Sequence, residues 1–98
     1  MKTLPLKLRK KGFNYTQVLR GHRSCIYAQE VSPNRTCYEV FLIKVRPKKQ
    51  ITFKNEVTRT FPEREVFPPD EAFGYWAWSY RSYERAFEKF QNLESIKQ

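Results

Sequence analysis

Two turn signals lie close together in the first half of the chain, Gly21-His22 and Ser32-Pro33-Asn34-Arg35, and they constrain the fold more than any other feature. A two-residue loop led by glycine suits the type II′ turn that joins antiparallel strands. Proline at the second position of a turn, with asparagine after it, presets the other reversal. The flanking runs, "FNYTQVLR", "RSCIYAQEV" and "TCYEVFLIKVR", are rich in β-branched and aromatic residues, and Pro47 closes the last of them. Three consecutive antiparallel strands follow, the beginning of a β-meander.

Turn positions also set register, and register decides which side chains share a face. Centring the first turn between residues 21 and 22 pairs Leu19 with Ser24, Val18 with Cys25 and Tyr15 with Ala28. Centring the second between residues 33 and 34 pairs Ala28 with Glu39, Ile26 with Phe41 and Ser24 with Ile43. One face then carries Phe13, Tyr15, Leu19, Ile26, Ala28, Phe41, Ile43 and Val45, and reads as the core face. The other carries Thr16, Val18, Cys25, Tyr27, Gln29, Tyr38, Val40, Leu42, Lys44 and Arg46. Cys37 falls opposite Glu30 and Cys25 opposite Leu42. That separation exceeds the roughly 7 Å between Cα atoms that a bridge tolerates, so no disulfide is expected.

The rest of the chain extends the meander and adds a helix. "KTLPLKLRKK" has five basic residues in ten and leucines at spacing two. It reads as a basic N-terminal arm or a single helical turn over residues 1–12, ended by Gly12. "ITFKNEVTRTF" reads as a fourth strand bent near Lys54-Asn55, and Pro62, Pro68, Pro69 and Gly74 make the next segment mostly loop, with a helical turn after Asp70. Residues 73–90, "FGYWAWSYRSYERAFEKF", then hold eight aromatic rings. As one helix they would align Phe73, Trp76, Tyr80, Tyr83, Phe87 and Phe90 in an apolar stripe. Gly74 inside a helix costs about 1 kcal/mol, and Ser82 is a good N-cap. The preferred arrangement is therefore an extended "WAWSY" followed by a helix over about 82–95, with Tyr83, Ala86, Phe87, Phe90 and Leu93 on one face. Either way the rings serve mostly as core, leaving Tyr75 and Trp78 as surface contacts. The expected fold is of the α+β class: an antiparallel β-meander of four to five strands with a C-terminal α-helix packed on one face, a single domain over residues 13–98.

Charge is distributed unevenly. Residues 1–50 hold twelve Lys or Arg against two acids, 12 − 2 = +10, and residues 51–98 hold seven against eight, 7 − 8 = −1, giving the formal net charge of +9. The excess in one half favours an anionic partner. No leader-like apolar segment opens the sequence and no apolar run approaches the roughly 18 residues that span a bilayer. A soluble protein of the cytoplasm, with no membrane partner, is expected.

Catalytic chemistry finds little support. His22 stands alone in a hairpin loop, and the acidic cluster Glu63, Glu65, Asp70 and Glu71 is interleaved with Arg64. Two cysteines and one widely spaced histidine do not compose a zinc site, and three isolated glycines make no phosphate loop. No enzyme activity, metal or cofactor is expected. Binding chemistry is better supplied. Lys7, Arg9, Lys10 and Lys11 crowd the arm, Arg20, His22 and Arg23 form the first hairpin tip, and Lys44, Arg46, Lys48 and Lys49 follow the central strand. Each phosphate that such groups neutralise releases counterions. Tyr27 and Tyr38 on the second face would offer stacking surfaces for bases. The competing reading covers that face with the N-terminal leucines or with a second copy in a homodimer.

Several segments carry a resemblance. Tyr38 to Phe41, Pro69 to Gly74, Ala77 to Tyr80 and Ala86 reproduce a Tyr-Glu-Val-Phe strand, a Pro–acidic–Phe-Gly segment, an Ala-Trp-x-Tyr step and an Ala-containing terminal helix. In these the chain resembles small proteins encoded by bacteriophages and mobile elements of gut bacteria. The resemblance implies a setting inside a host bacterial cell and carries over no active residue. The expected function is a non-enzymatic accessory protein that binds nucleic acid through its basic N-terminal half. The alternatives are an inhibitor or adaptor acting on an acidic host protein, for example in a defence system, or a minor virion component.

Overall fold

A computed structural model of the chain describes residues 1–95; the last three residues of the span read as one domain lie outside it. In chain order its elements are β1 (Lys7–Lys10), β2 (Phe13–Arg20), β3 (Ser24–Ser32), β4 (Arg35–Leu42), β5 (Lys44–Arg46), β6 (Lys49–Thr52), β7 (Thr58–Phe61), β8 (Arg64–Val66), a 3-10 turn (Asp70–Ala72), β9 (Ala77–Tyr80) and α1 (Tyr83–Glu94). Strands β1, β2, β3, β4 and β9 form an antiparallel five-stranded sheet in that order. The α+β class and the C-terminal helix on one sheet face are as the sequence leads one to expect. The extended stretch ending at Tyr80 and the helix beginning after Ser82 are also observed.

The segment read as an arm is instead the first edge of the sheet. Lys11 and Gly12 both have positive φ, 52° and 83°, as a type I′ turn requires of its two central residues. That turn folds β1 back on β2, pairing Leu8 with Tyr15 and Lys10 with Phe13. Of the three leucines, Leu4 is buried, Leu8 is half-buried and Leu6 is exposed.

Two β-bulges overturn the expected face assignment. The β2–β3 pairing shifts between Gln17 and Leu19, leaving Val18 as the extra residue, and the β3–β4 pairing shifts between Glu30 and Ser32, leaving Val31. Beyond the second bulge Cys25 pairs with Phe41 and Ala28 with Tyr38. One residue of slip moves a whole strand to the opposite face. Phe13, Tyr15, Cys25, Tyr27, Phe41 and Ile43 therefore face one core, and Leu19, Ile26, Tyr38, Val40 and Leu42 face another. Val45 is largely exposed and joins neither. Both sheet faces are covered. Ala86, Phe90 and Leu93 of α1 close the second core, while Leu4, Ala72 and Phe67 close the first. Phe67 meets Tyr15, Tyr27 and Phe41 edge-on at centroid distances of 4.9, 5.3 and 5.1 Å. Cys25 and Cys37 are both free.

Helix α1 is tied to the β2–β3 loop by its last residue. The Glu94 carboxylate accepts hydrogen bonds from the backbone N–H groups of His22 (2.6 Å) and Arg23 (2.9 Å) and from the Ser24 hydroxyl (2.7 Å). A negative charge at a helix C-terminus opposes the dipole. These bonds outweigh the pull of burial and hold the Glu94 carboxyl below the usual range. Gly21 leaves the necessary space, since a Cβ there would lie 2.3 Å from Glu94 Oε1.

Glu39, on the first core face, is buried, and its Oε1 has no hydrogen-bond partner among the described residues. Burial pushes its carboxyl up to about 7, with Lys10 opposing the shift and Asp70 adding to it. A carboxyl whose folded value is raised stabilises the fold fully below its unfolded value and loses that contribution as pH rises through the folded value. Glu39→Gln is therefore expected to remove a stability decline on the order of 2–3 kcal/mol between pH 5 and pH 8. Urea unfolding of both proteins at the two pH values checks this, and identical pH dependence would contradict it.

The greatest departure from the sequence reading lies between residues 44 and 66. The strand expected to run unbroken to Arg46 ends at Leu42, and the expected bent strand is a hairpin. Arg46 pairs with Arg64 in one two-stranded segment, and Lys49 pairs with Phe61 in the next. Both segments follow one register, so residues 44–66 form a single long ribbon interrupted where Pro47 and Pro62 stand. Proline has no N–H to give the ladder. The ribbon accounts for a radius of gyration of 15.8 Å, against about 13 Å for a compact domain of this length.

Candidate functional site

The ribbon root, the N-terminal segment and the turn before β9 enclose an open cleft of about 690 Å³. Lys44 and Arg46 enter it from β5, Arg64 and Val66 from β8, and Phe67 and Pro69 from the loop that follows. Lys2 joins because the chain start pairs with β8: the Lys2 N–H donates to the Glu63 carbonyl (3.2 Å), and the Glu65 N–H donates to the Lys2 carbonyl (2.9 Å). Trp76 forms part of the wall, with the Lys44 ammonium 5.9 Å from its ring centroid.

The electrostatics of the cleft rest on Glu65. Its carboxylate accepts a bidentate pair of hydrogen bonds from the Arg20 guanidinium, 2.7 and 2.6 Å, and a third from the Leu4 N–H at 2.9 Å. The Arg20 bond holds the Glu65 carboxyl below the usual range against the effect of burial. The acid in the lining is thus already neutralised. Among the described residues the ion pairs are Arg20–Glu65 and Lys11–Asp70. Lys2, Lys44, Arg46 and Arg64 are left with no acidic partner there. Four cations lining a cleft with a half-buried indole would attract a polyanion that also presents flat or apolar groups.

The residues expected to bind are only partly brought together. Lys44 and Arg46 line the cleft, and Lys48 and Lys49 continue from it along the exposed ribbon. Arg20 supports the cleft from behind, its charge spent on Glu65. Lys7 and Arg9 lie on the outer edge strand, where Arg9 donates to Asn14 (3.2 Å). Lys10 donates to the Pro68 carbonyl (2.8 Å) and stands over the Phe67 ring, and Lys11 pairs with Asp70. His22 and Arg23 sit in the loop that Glu94 clamps. Tyr27 cannot stack a base: it is wholly buried, its hydroxyl donating to the Pro5 carbonyl. Tyr38 lies half-buried on the helix side, edge-on to Tyr83 at 5.5 Å. The two tyrosines face opposite ways because of the bulge at Val31.

Nothing local in the sequence marks Lys2, Arg64 or Trp76 as cleft residues. Trp76 stood on the expected apolar stripe, whereas Trp78, expected at the surface, packs in the helix-side core beneath Lys89, 3.9 Å from its centroid. The sequence held one usable signal, the even parity of residues 44, 46 and 64 across a hairpin, but it depends on recognising the turn near Asn55. Tyr75 is 81% exposed, in accord with expectation. Burial pushes the Cys25 thiol up to about 12, so it stays protonated at neutral pH. Among the described residues no three His, Cys, Asp or Glu side chains gather as metal ligands, and no helix is long and apolar enough to cross a membrane.

Comparison of the chain with protein-family models, with curated proteins and with solved structures finds no match.

Proposed function

We propose that the protein is a small, non-enzymatic accessory protein that holds the sugar–phosphate backbone of a nucleic acid in the cleft of Lys2, Lys44, Arg46, Arg64 and Trp76. The observation that carries this reading is the convergence of four cations from separate chain segments around a lining whose only acid is already paired. Phosphates replace condensed counterions at the cations, and the indole offers one flat apolar surface to a sugar or an unstacked base. The setting inferred from the sequence resemblance, a bacteriophage or mobile element acting inside its host, suits a small basic protein of this kind.

Trp76 provides the test. Titration with an oligonucleotide is expected to quench the tryptophan fluorescence, and the Trp78→Phe protein is expected to keep that response. Trp76→Phe should lose most of it, because Trp78 lies beneath Lys89 on the helix side of the sheet. Quenching that persists in Trp76→Phe would place the ligand elsewhere. No binding by the unaltered protein would sink the reading and leave an acidic protein as the partner to seek.

A further inference from the structure

Among the described residues, the strands of the distal half of the ribbon, residues 49–61, pack chiefly on each other. Every residue in it except Ile51 is exposed. An isolated two-stranded hairpin is marginal in water, so a surface that took in this ribbon would stabilise it. The ribbon's two faces differ, and one of them carries Ile51 and the exposed Phe61 beside Lys49 and Arg59. Gln50 pairs with Thr60 and Thr52 with Thr58, which makes one face uncharged and hydrogen-bonding throughout. The Thr52 and Thr58 hydroxyls lie 3.1 Å apart, and Gln50 Nε2 lies 3.5 Å from Thr60 Oγ1. Because one register runs through the proline interruption, these residues share the alternation phase of Lys44, Arg46 and Arg64. Along one side of the ribbon, cations at the root give way to amides and hydroxyls towards the tip. Lys49, Lys54 and Arg59 against Glu56 keep the distal half positive as well.

We propose that this ribbon enters the major groove of duplex DNA, with Gln50, Thr52, Thr58 and Thr60 against the base edges and the cleft cations on the flanking phosphates. The inference rests on the nucleic-acid reading above and narrows it to one substrate class. Strands about 4.8 Å apart make a ribbon that fits the roughly 12 Å width of the B-form major groove, which admits a two-stranded β-ribbon. The A-form major groove of RNA is too narrow and deep for it. Glutamine amides match adenine, and threonine supplies both a hydroxyl and a methyl group for thymine. Phosphate contacts at the root set position while the distal face reads sequence.

Fluorescence anisotropy with mixed-sequence duplex DNA, duplex RNA and single-stranded DNA tests the proposal on the full chain. Two variants are compared with the unaltered protein. One replaces residues 50–60 by Asn-Gly, joining Lys49 to Phe61 through a two-residue turn. The other is Gln50→Ala with Thr52→Val, Thr58→Val and Thr60→Val, which keeps β-branched residues at the three threonine positions and removes the amide and the hydroxyls. The unaltered protein is expected to prefer duplex DNA by about tenfold or more over both other probes. Both variants should bind all three probes alike, retaining the affinity of the cleft. Retention of the duplex preference by both variants would overturn the ribbon's role while leaving the cleft reading intact. No affinity for any probe would overturn both. An unaltered protein without preference, forming dimers that Ile51→Ser and Phe61→Ser abolish, would overturn it in favour of a second copy.

Discussion

Arg20→Ala is expected to destabilise the protein by about 3 kcal/mol, because it leaves the Glu65 carboxylate buried with the Leu4 N–H as its remaining partner. The Glu65 side chain is 4% exposed and that of Arg20 is 35% exposed, so water screens the guanidinium but not the acid. For a domain of this size such a loss lowers Tm by roughly 10–20 °C. The sign of the pH dependence changes with it. In the unaltered protein Glu65 sits below its ordinary value, so its contribution is present at neutral pH and is lost as pH falls through the folded value. Without Arg20, burial outweighs the bond from the Leu4 N–H and raises the carboxyl, and the variant becomes more stable on mild acidification. The double variant Arg20→Met, Glu65→Leu is expected to recover most of the stability, since a buried pair replaced by apolar groups is often neutral. Thermal unfolding of the single and double variants at pH 5 and pH 8 checks this. A single variant as stable as the unaltered protein at both values would contradict the assignment. Arg20, placed by the sequence among residues for a ligand, is a structural residue that keeps a neighbouring site free of negative charge.

That reassignment shows what the sequence could and could not disclose. The C-terminal third was legible because its signals are local. Ser82 precedes a run with apolar residues at helical spacing, and "WAWSY" alternates as an edge strand does. The faces of the sheet were not legible, because each depends on a bulge at a valine, Val18 or Val31, that looks like any other strand residue. One such residue sends Tyr27 into the core and Tyr38 to the opposite side. The Lys11-Gly12 turn was present in the sequence as two residues able to take positive φ, but the lysine-rich context made it look like a tail. Arg20–Glu65 spans 45 positions and has no local sign at all. The cleft was half legible. Lys44 and Arg46 stood out as cations after a strong strand, whereas Lys2, Arg64 and Trp76 meet them only once the ribbon has doubled back and the chain start has joined β8.

The second large effect concerns binding. Reversing Lys44, Arg46 and Arg64 together to glutamate is expected to weaken nucleic-acid affinity by about 100-fold or more at physiological salt, since each cation neutralises a phosphate and each glutamate repels one. All three side chains are exposed and have no acidic partner among the described residues, so thermal stability should stay near that of the unaltered protein. The same substitutions at Arg9 and Arg23, outside the cleft, should cost much less.

Salt dependence measures the cleft most directly. Four cations each displacing counterions give a slope of log affinity against log salt of about −3 to −4 on duplex DNA. Lys44→Ala with Arg46→Ala should reduce that slope in magnitude by about 2. An unaltered protein whose affinity is flat in salt, or a double variant with an unchanged slope, would contradict the account.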